Sequence, residues 1–193
     1  MNLAALSTTQ IIIIIAVAAV VVLAIVGIAL SIRKRRTEKL RTQFGNAEYT
    51  RAVTEGGNQQ KAEAALNARA ARVEKLHIRP LGAGDRTRFI DSWAKVQARF
   101  VDGPGSAVTD ADQLLTDVMS TRGYPVSDFE QRANDISVDH PLVLENYRAA
   151  HQSALRQAKG EADTEDLRQA MIHFRTLFEE LVNEPEIARA QTA

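Results

Sequence analysis

The chain has 193 residues and no cysteine, which excludes disulfides, thiolate catalysis and zinc sites built on cysteine. Its 24 basic and 24 acidic side chains cancel, but residues 33–41 hold six basic and one acidic, whereas residues 101–193 hold eight basic and seventeen acidic. Because neutralisation of phosphates supplies most of the affinity for nucleic acid, the acidic second half argues against that partner, and none is predicted.

A long apolar run lies near the N-terminus. Ile11–Ile32 contains no charge, and its only polar side chain is Ser31. As a helix it would be about 33 Å long, close to the hydrocarbon thickness of a bilayer. We therefore predict a transmembrane helix over residues 11–32, after a short tail at residues 1–10. The alternative is a cleaved signal peptide, but the run is too long for its apolar region and no Lys or Arg precedes it.

Basic side chains follow the predicted span, in a juxtamembrane segment at residues 33–43. They are Arg33, Lys34, Arg35, Arg36, Lys39 and Arg41. The positive-inside rule then predicts a single pass through the cell inner membrane, with the N-terminus outside and the C-terminal domain in the cytoplasm. We also expect this segment to contact anionic headgroups, although a pure topology signal is an equal alternative. Gly27 and Ser31 form a small-xxx-small pair, which is compatible with a homodimer of two spans.

The first helices of the soluble part have thin apolar stripes. A short helix is predicted over Ala47–Glu55, with Asn46 as its N-cap and glycines after it. The next helix is predicted to start after Asn58 and to run to about His77. Its stripe is narrow, which is typical of a peripheral helix.

Core-forming stripes come later in the chain. The segment Asp85–Val101 is expected to bury Phe89, Ile90, Trp93, Val96, Phe100 and Val101. The following helix, ending at Arg122 with Gly123 as its C′ residue, is expected to bury Val108, Ala111, Leu114, Leu115, Val118 and Met119. The last helix is expected to bury Leu167, Met171, Phe174, Leu177, Phe178, Leu181 and Val182.

Further signals mark the remaining helix ends. Ser127–Glu130 matches a capping box and predicts a short helix. A long helix is predicted from Asp139–Pro141 to Lys159, and Thr164 is predicted to cap the last one. Short breaks between long helices indicate antiparallel neighbours. The fold class is therefore all-α: an N-terminal transmembrane helix, an antiparallel helical bundle at residues 44–183 and a frayed tail at residues 184–193.

Several stretches resemble a known group of proteins. They are WAKVQARFVD from Trp93, RGYP from Arg122, SVDHPLVLENYR from Ser137, TEDLRQAMIHFRTLFEEL from Thr164, and the pairs Phe44-Gly45 and Glu48-Tyr49. Together they resemble uncharacterised bacterial single-pass membrane-anchored proteins with a C-terminal helical domain. The group usually reads Phe-Gly-Pro-Glu-Tyr where this chain has Asn46 and Ala47 before Glu48. The resemblance implies an anchor and a helical domain, and it implies no activity and no catalytic residues.

The most enzyme-like string is Ser137–Pro141. Asp139 and His140 could act as an acid and base, with Tyr147 as a further candidate. The favoured interpretation is structural: Asp or Ser caps a helix whose first turn holds Pro141. The four histidines lack metal-binding spacing, so neither a metal nor a cofactor is predicted. Arg122–Pro125 is read as a glycine turn, with a recognition loop as the alternative.

The sequence therefore predicts a membrane-tethered helical protein-interaction or scaffold module that is not an enzyme. Its expected partners are the lipid bilayer and a protein, with a basic protein best suited to the acidic half. The alternative is a membrane-anchored enzyme or ligand-binding domain with a site around Asp139, His140 and Tyr147.

Overall fold

The computed structural model describes residues 8–125 and 127–183, so most of the predicted tail at residues 1–10 and all of the tail at 184–193 lie outside the described part. The chain divides between Thr42 and Gln43 into two compact units. Seven helices and no strand occur in the described residues, which confirms the predicted all-α class.

The first unit consists of the N-terminal part of helix α1, which runs over Thr8–Gly56. Side chains 12, 14 and 16–32 of this helix are all exposed. An 18-residue window of α1 between Ala16 and Gly56 has a mean hydropathy of 2.5, and none of it is buried. Among the residues whose side chains are described, this is the one helix long and apolar enough to cross a membrane.

One residue interrupts the helical geometry of α1. Gly45 has φ 76° and ψ 159°, which only glycine adopts without strain. The predicted short helix over Ala47–Glu55 is confirmed as the part of α1 that follows this glycine. That part belongs to the second unit, which begins at Gln43.

Six further helices complete the second unit. They are α2 (Gln59–Val73), α3 (Ala83–Arg99), α4 (Pro104–Arg122), α5 (Phe129–Asp139), α6 (Pro141–Ala158) and α7 (Thr164–Asn183). Helix α7 packs against α3, α4 and α6, and α4 also contacts α3 and α6. The short α5 lies between α2 and α6. This arrangement confirms the predicted helical bundle.

The stripes predicted for α4 and α7 are buried without exception. Trp93 stacks on Phe178 with ring centroids 4.7 Å apart, and Tyr147 contacts Phe174 at 6.4 Å. The prediction for α3 is wrong at two positions, since Ile90 is 46% exposed and Val101 is 84% exposed. Helix α3 turns one narrow stripe inward, and Val101 lies beyond its last residue.

Helix ends show where local patterns were interpreted correctly. Asn58 accepts a hydrogen bond from the Lys61 amide, and Gly123 adopts φ 100°, as predicted. A Cβ on Gly123 would lie 2.5 Å from the His77 carbonyl oxygen, so the site also requires glycine for space.

Two caps differ from prediction because a neighbouring aspartate takes the role. Asp128, rather than Ser127, accepts from the Gln131 amide at the start of α5. At the start of α7, Asp163 and Asp166 each accept the other's amide, so Thr164 is the first helical residue and not the cap.

Candidate functional site

The predicted membrane-surface residues lie on a continuous stretch of α1. Their side chains are all exposed, and Lys34 Nζ lies 4.0 Å from Glu38 Oε1. Successive residues of an α-helix are rotated by about 100°, so these six positions are distributed around the whole helix. The segment therefore presents a ring of positive charge rather than a one-sided basic face.

The enzyme alternative rests on three residues that the structure assigns to three different contacts. Tyr124 Oη donates to Asp139 Oδ2 at 3.1 Å, and His140 Nδ1 lies 3.2 Å from Glu180 Oε1. Tyr147 is fully buried, and its hydroxyl accepts from Arg132 Nε at 3.2 Å. Each of the three side chains thus contacts a different partner in the described part of the chain.

The capping role predicted for Ser137 or Asp139 is wrong. Ser137 lies inside α5, and its hydroxyl donates to the Asn134 carbonyl at 2.6 Å. His140 is the N-cap residue of α6 and makes no capping hydrogen bond with its side chain, whereas Pro141 does start the helix as predicted. Burial lowers the pKa of His140, and its hydrogen bond with Glu180 opposes that shift.

The Arg122–Pro125 turn contacts two other parts of the bundle through the side chain of Arg122. The fully buried Arg122 donates to the carbonyls of Arg79 and Leu181, at 3.3 and 3.0 Å. The Arg79 amide in turn donates to the Arg122 carbonyl at 2.8 Å. Because Arg122 joins the loop before α3 to α4 and α7, the Arg122–Pro125 turn is part of the bundle's framework.

A second polar cluster lies where α4, α5 and α6 meet. Burial raises the pKa of Asp112, while nearby Arg132 and His151 oppose the shift. Burial, reinforced by the charge of Asp112, raises the pKa of Tyr147 to about 12. The ring of His151 stacks on Phe129 with centroids 3.5 Å apart. Burial also lowers the pKa of His151, while the charge of Asp112 opposes that shift.

An ion-pair cluster fastens the end of α1 to the bundle. Glu48 is 5% exposed, and its Oε1 lies 2.5 Å from Arg69 Nη1 and 3.6 Å from Arg148 Nη2. Arg148 also pairs with Glu130 at 2.9 Å. Next to it, Tyr49 donates to Glu63 Oε1 at 2.9 Å. The Glu48-Tyr49 pair that carried part of the resemblance thus has a structural role.

An open groove of about 270 Å³ runs between α3 and α4. Val96 and Leu114 are its apolar lining residues, and an ion pair between Arg99 and Asp110 joins the two helices. Among the described residues, no group of three or more His, Cys, Asp or Glu side chains is arranged to hold a metal ion.

Comparisons with family models, curated proteins and solved structures found no match. The resemblance to bacterial membrane-anchored proteins therefore stays a prediction.

Sequence reasoning missed both the Asp112 cluster and the Glu48 cluster. A signal for Glu48 was present, because it belongs to the Glu48-Tyr49 pair that carries part of the resemblance. Asp112 likewise follows the buried Ala111 in α4. Partners such as Arg69 and Arg148 come from distant helices, so their pairing could not be read from local spacing.

Proposed function

We propose that this chain is a membrane-tethered helical protein-interaction or scaffold module. The observation that carries the proposal is the exposure of every described side chain between residues 12 and 32. Exposing so many Ile, Val and Leu side chains to water would be costly, at about 25 cal/mol per Å² of apolar surface. A bilayer removes that cost, and a helix satisfies its own backbone hydrogen bonds there.

The charge distribution supports a single orientation of the tether. Six basic side chains lie directly after the apolar segment, which under the positive-inside rule retains that side in the cytoplasm. The ring arrangement also favours spanning over lying in the membrane plane. A helix lying in the plane would turn part of the ring, such as Arg33 or Arg35, into the hydrocarbon, where a charged side chain is expensive.

An interaction role for the second unit is supported by how its polar groups are used. Asp139, His140, Tyr147 and Arg122 make contacts that join helices of the bundle. Residues 101–193, in contrast, hold seventeen acidic and eight basic side chains, and carboxylates such as Asp102, Asp117 and Glu145 are exposed. Such a surface suits a basic protein partner, which it would attract and orient by electrostatic complementarity.

Crosslinking and capture of the full chain from native membranes would test this proposal. The matched control carries residues 1–42 fused to an unrelated helical domain of equal net charge. We expect a protein that is recovered with the full chain and absent from the control, and that is lost when salt screens the carboxylates. Equal recovery with both chains would contradict an interaction role for the second unit.

A further inference from the structure

Helix α3 carries two apolar stripes, of which the bundle covers one. The inner stripe is Phe89, Trp93 and Val96, which are all buried. The outer stripe comprises Thr87, Ile90, Ala94 and Ala98 on the helix and Val101 in the turn that follows it, and all five are exposed. Its spacings of three and four residues are those of one helix face, so the outer stripe has the pattern that packs against another helix.

The outer stripe is complementary to itself when two copies run antiparallel. A two-fold axis at Ala94 places Ile90 opposite Ala98 of the other copy, so that a large side chain meets a small one. The same axis places Val101 opposite Thr87, and the alanine at the centre allows the helices to approach closely. The apolar stripe thus fits a second α3 in a defined register.

The charges beside the stripe match the same register. Asp91 and Lys95 are exposed on one flank of α3, and neither makes an ion pair with another described residue. In an antiparallel pair related by a two-fold axis, equal flanks face each other. The Ala94 axis brings Asp91 to within about 3 Å, along the helix, of Lys95 in the other copy, twice by symmetry.

We propose that the outer face of α3 binds α3 of a second copy of this chain, antiparallel and centred on Ala94. The stripe is about 21 Å long and one helix wide, so it is smaller than the roughly 800 Å² per partner of a stable interface. Association is therefore weak in solution and is favoured when tethers confine the copies to one membrane. That last point rests on the proposed function, whereas the register does not.

The absence of native cysteines allows a direct test by disulfide trapping. Helix axes about 8–10 Å apart would place the two Ala94 Cα atoms within disulfide range, whereas the two Ala98 Cα atoms would be displaced by about 12 Å along the helix. With membranes of cells producing the full chain and a mild oxidant, Ala94→Cys should give a disulfide-linked dimer. Ala98→Cys, equally exposed and on the same stripe, should give at least tenfold less.

Two outcomes would overturn the inference. They are no dimer from Ala94→Cys, or equal dimer from both variants, which would indicate random collision. The membrane fractionation itself reports on the tether, so protein that stays in membranes without an Ala94 dimer contradicts this interface alone. If the chain leaves the membranes, the proposed function fails, and the same pair of variants is compared in the purified chain at high concentration.

A charge exchange provides an independent test of the register. In the Ala94→Cys background, Asp91→Lys should reduce the disulfide dimer several-fold, because four lysines then face each other. Adding Lys95→Asp should restore it, since the reciprocal pairs are rebuilt with reversed sign. Both substitutions lie on an exposed flank, so the bundle's melting temperature should stay unchanged. Failure of the second substitution to restore the dimer would contradict the antiparallel pairing.

Discussion

The N-terminal part of α1 and helix α7 are both regular helices, and they differ in where their apolar side chains lie. In α7 these side chains, with the exception of Ile172, form one stripe, which is buried from Leu167 to Val182. In the segment over residues 16–32 they surround the helix, and all are exposed. Helical geometry is common to both, so the distribution of apolar residues around the axis indicates which helix needs a protein core and which needs lipid.

The largest expected effect is the loss of folding stability when a buried side chain of α7 is truncated to alanine. Phe174 is fully buried on α7, so Phe174→Ala should lower the free energy of unfolding of the bundle by about 3–5 kcal/mol. Ile172, on the exposed side of the same helix, is the control, and Ile172→Ala should cost under about 1 kcal/mol. Denaturant unfolding of the full chain in detergent measures both. Equal losses would mean that α7 is not packed as described.

A charge in the apolar segment should weaken membrane insertion and leave the folding stability of the bundle unchanged. Val21→Arg is expected to cost about 2.5–3.5 kcal/mol of membrane insertion and to leave the unfolding of the bundle unchanged. The fraction of chain that resists alkaline extraction from membranes reports the change. Val101→Arg, which places the same charge on an exposed residue of the second unit, should have no effect on extraction. If both variants behave alike, the segment is not a span.

The ion-pair cluster tests where the second unit begins. Glu48→Ala leaves the half-buried Arg69 and Arg148 without their shared carboxylate, so we expect a loss of about 2–3 kcal/mol in unfolding free energy. Exposed Glu55, in the same helix, is the control, and Glu55→Ala should change stability by under about 0.5 kcal/mol. A negligible effect of Glu48→Ala would place this stretch outside the bundle.

A substitution of Gly45, which has a positive φ, should cause a smaller loss of unfolding free energy. An alanine there would be strained, and we expect Gly45→Ala to cost about 1–3 kcal/mol in unfolding free energy. Gly27, which has no unusual φ and open space around its Cα, is the control because Gly27→Ala should be tolerated in the helix. A more stable Gly45→Ala variant would contradict the positive φ at this position.

The smallest effect concerns pH. Because burial holds the pKa of His140 below 6.5 in the folded chain, the unfolded chain binds a proton first as the pH falls. Stability from neutral His140 is present above pH 6.5 and is lost as the pH falls through the lowered pKa. His140→Gln should reduce this loss of stability on acidification, and the part of the loss that His151 contributes should remain. An unaltered curve for His140→Gln would contradict burial of this imidazole.

Local patterns were sufficient for much of this fold. The stripes of α4 and α7, the cap at Asn58 and the turn at Gly123 follow from spacing and from the conformational freedom of glycine. Local patterns failed where two stripes share one helix, as at Ile90 and Val101, since a sequence does not say which stripe meets the core. They also failed where partners are distant, as for Asp112 and Arg132 or Glu48 and Arg148, because such pairs depend on tertiary packing.

The central claim is a tether that spans the membrane and leaves the bundle in the cytoplasm. Two reporters fused after Ala193, one active only in the cytoplasm and one active only outside it, test this claim most directly. We predict activity from the cytoplasmic reporter alone, with the fusion resisting alkaline extraction. Activity from the external reporter alone would contradict the account, because the basic ring would then not retain its side of the membrane and the bundle would belong to the cell envelope.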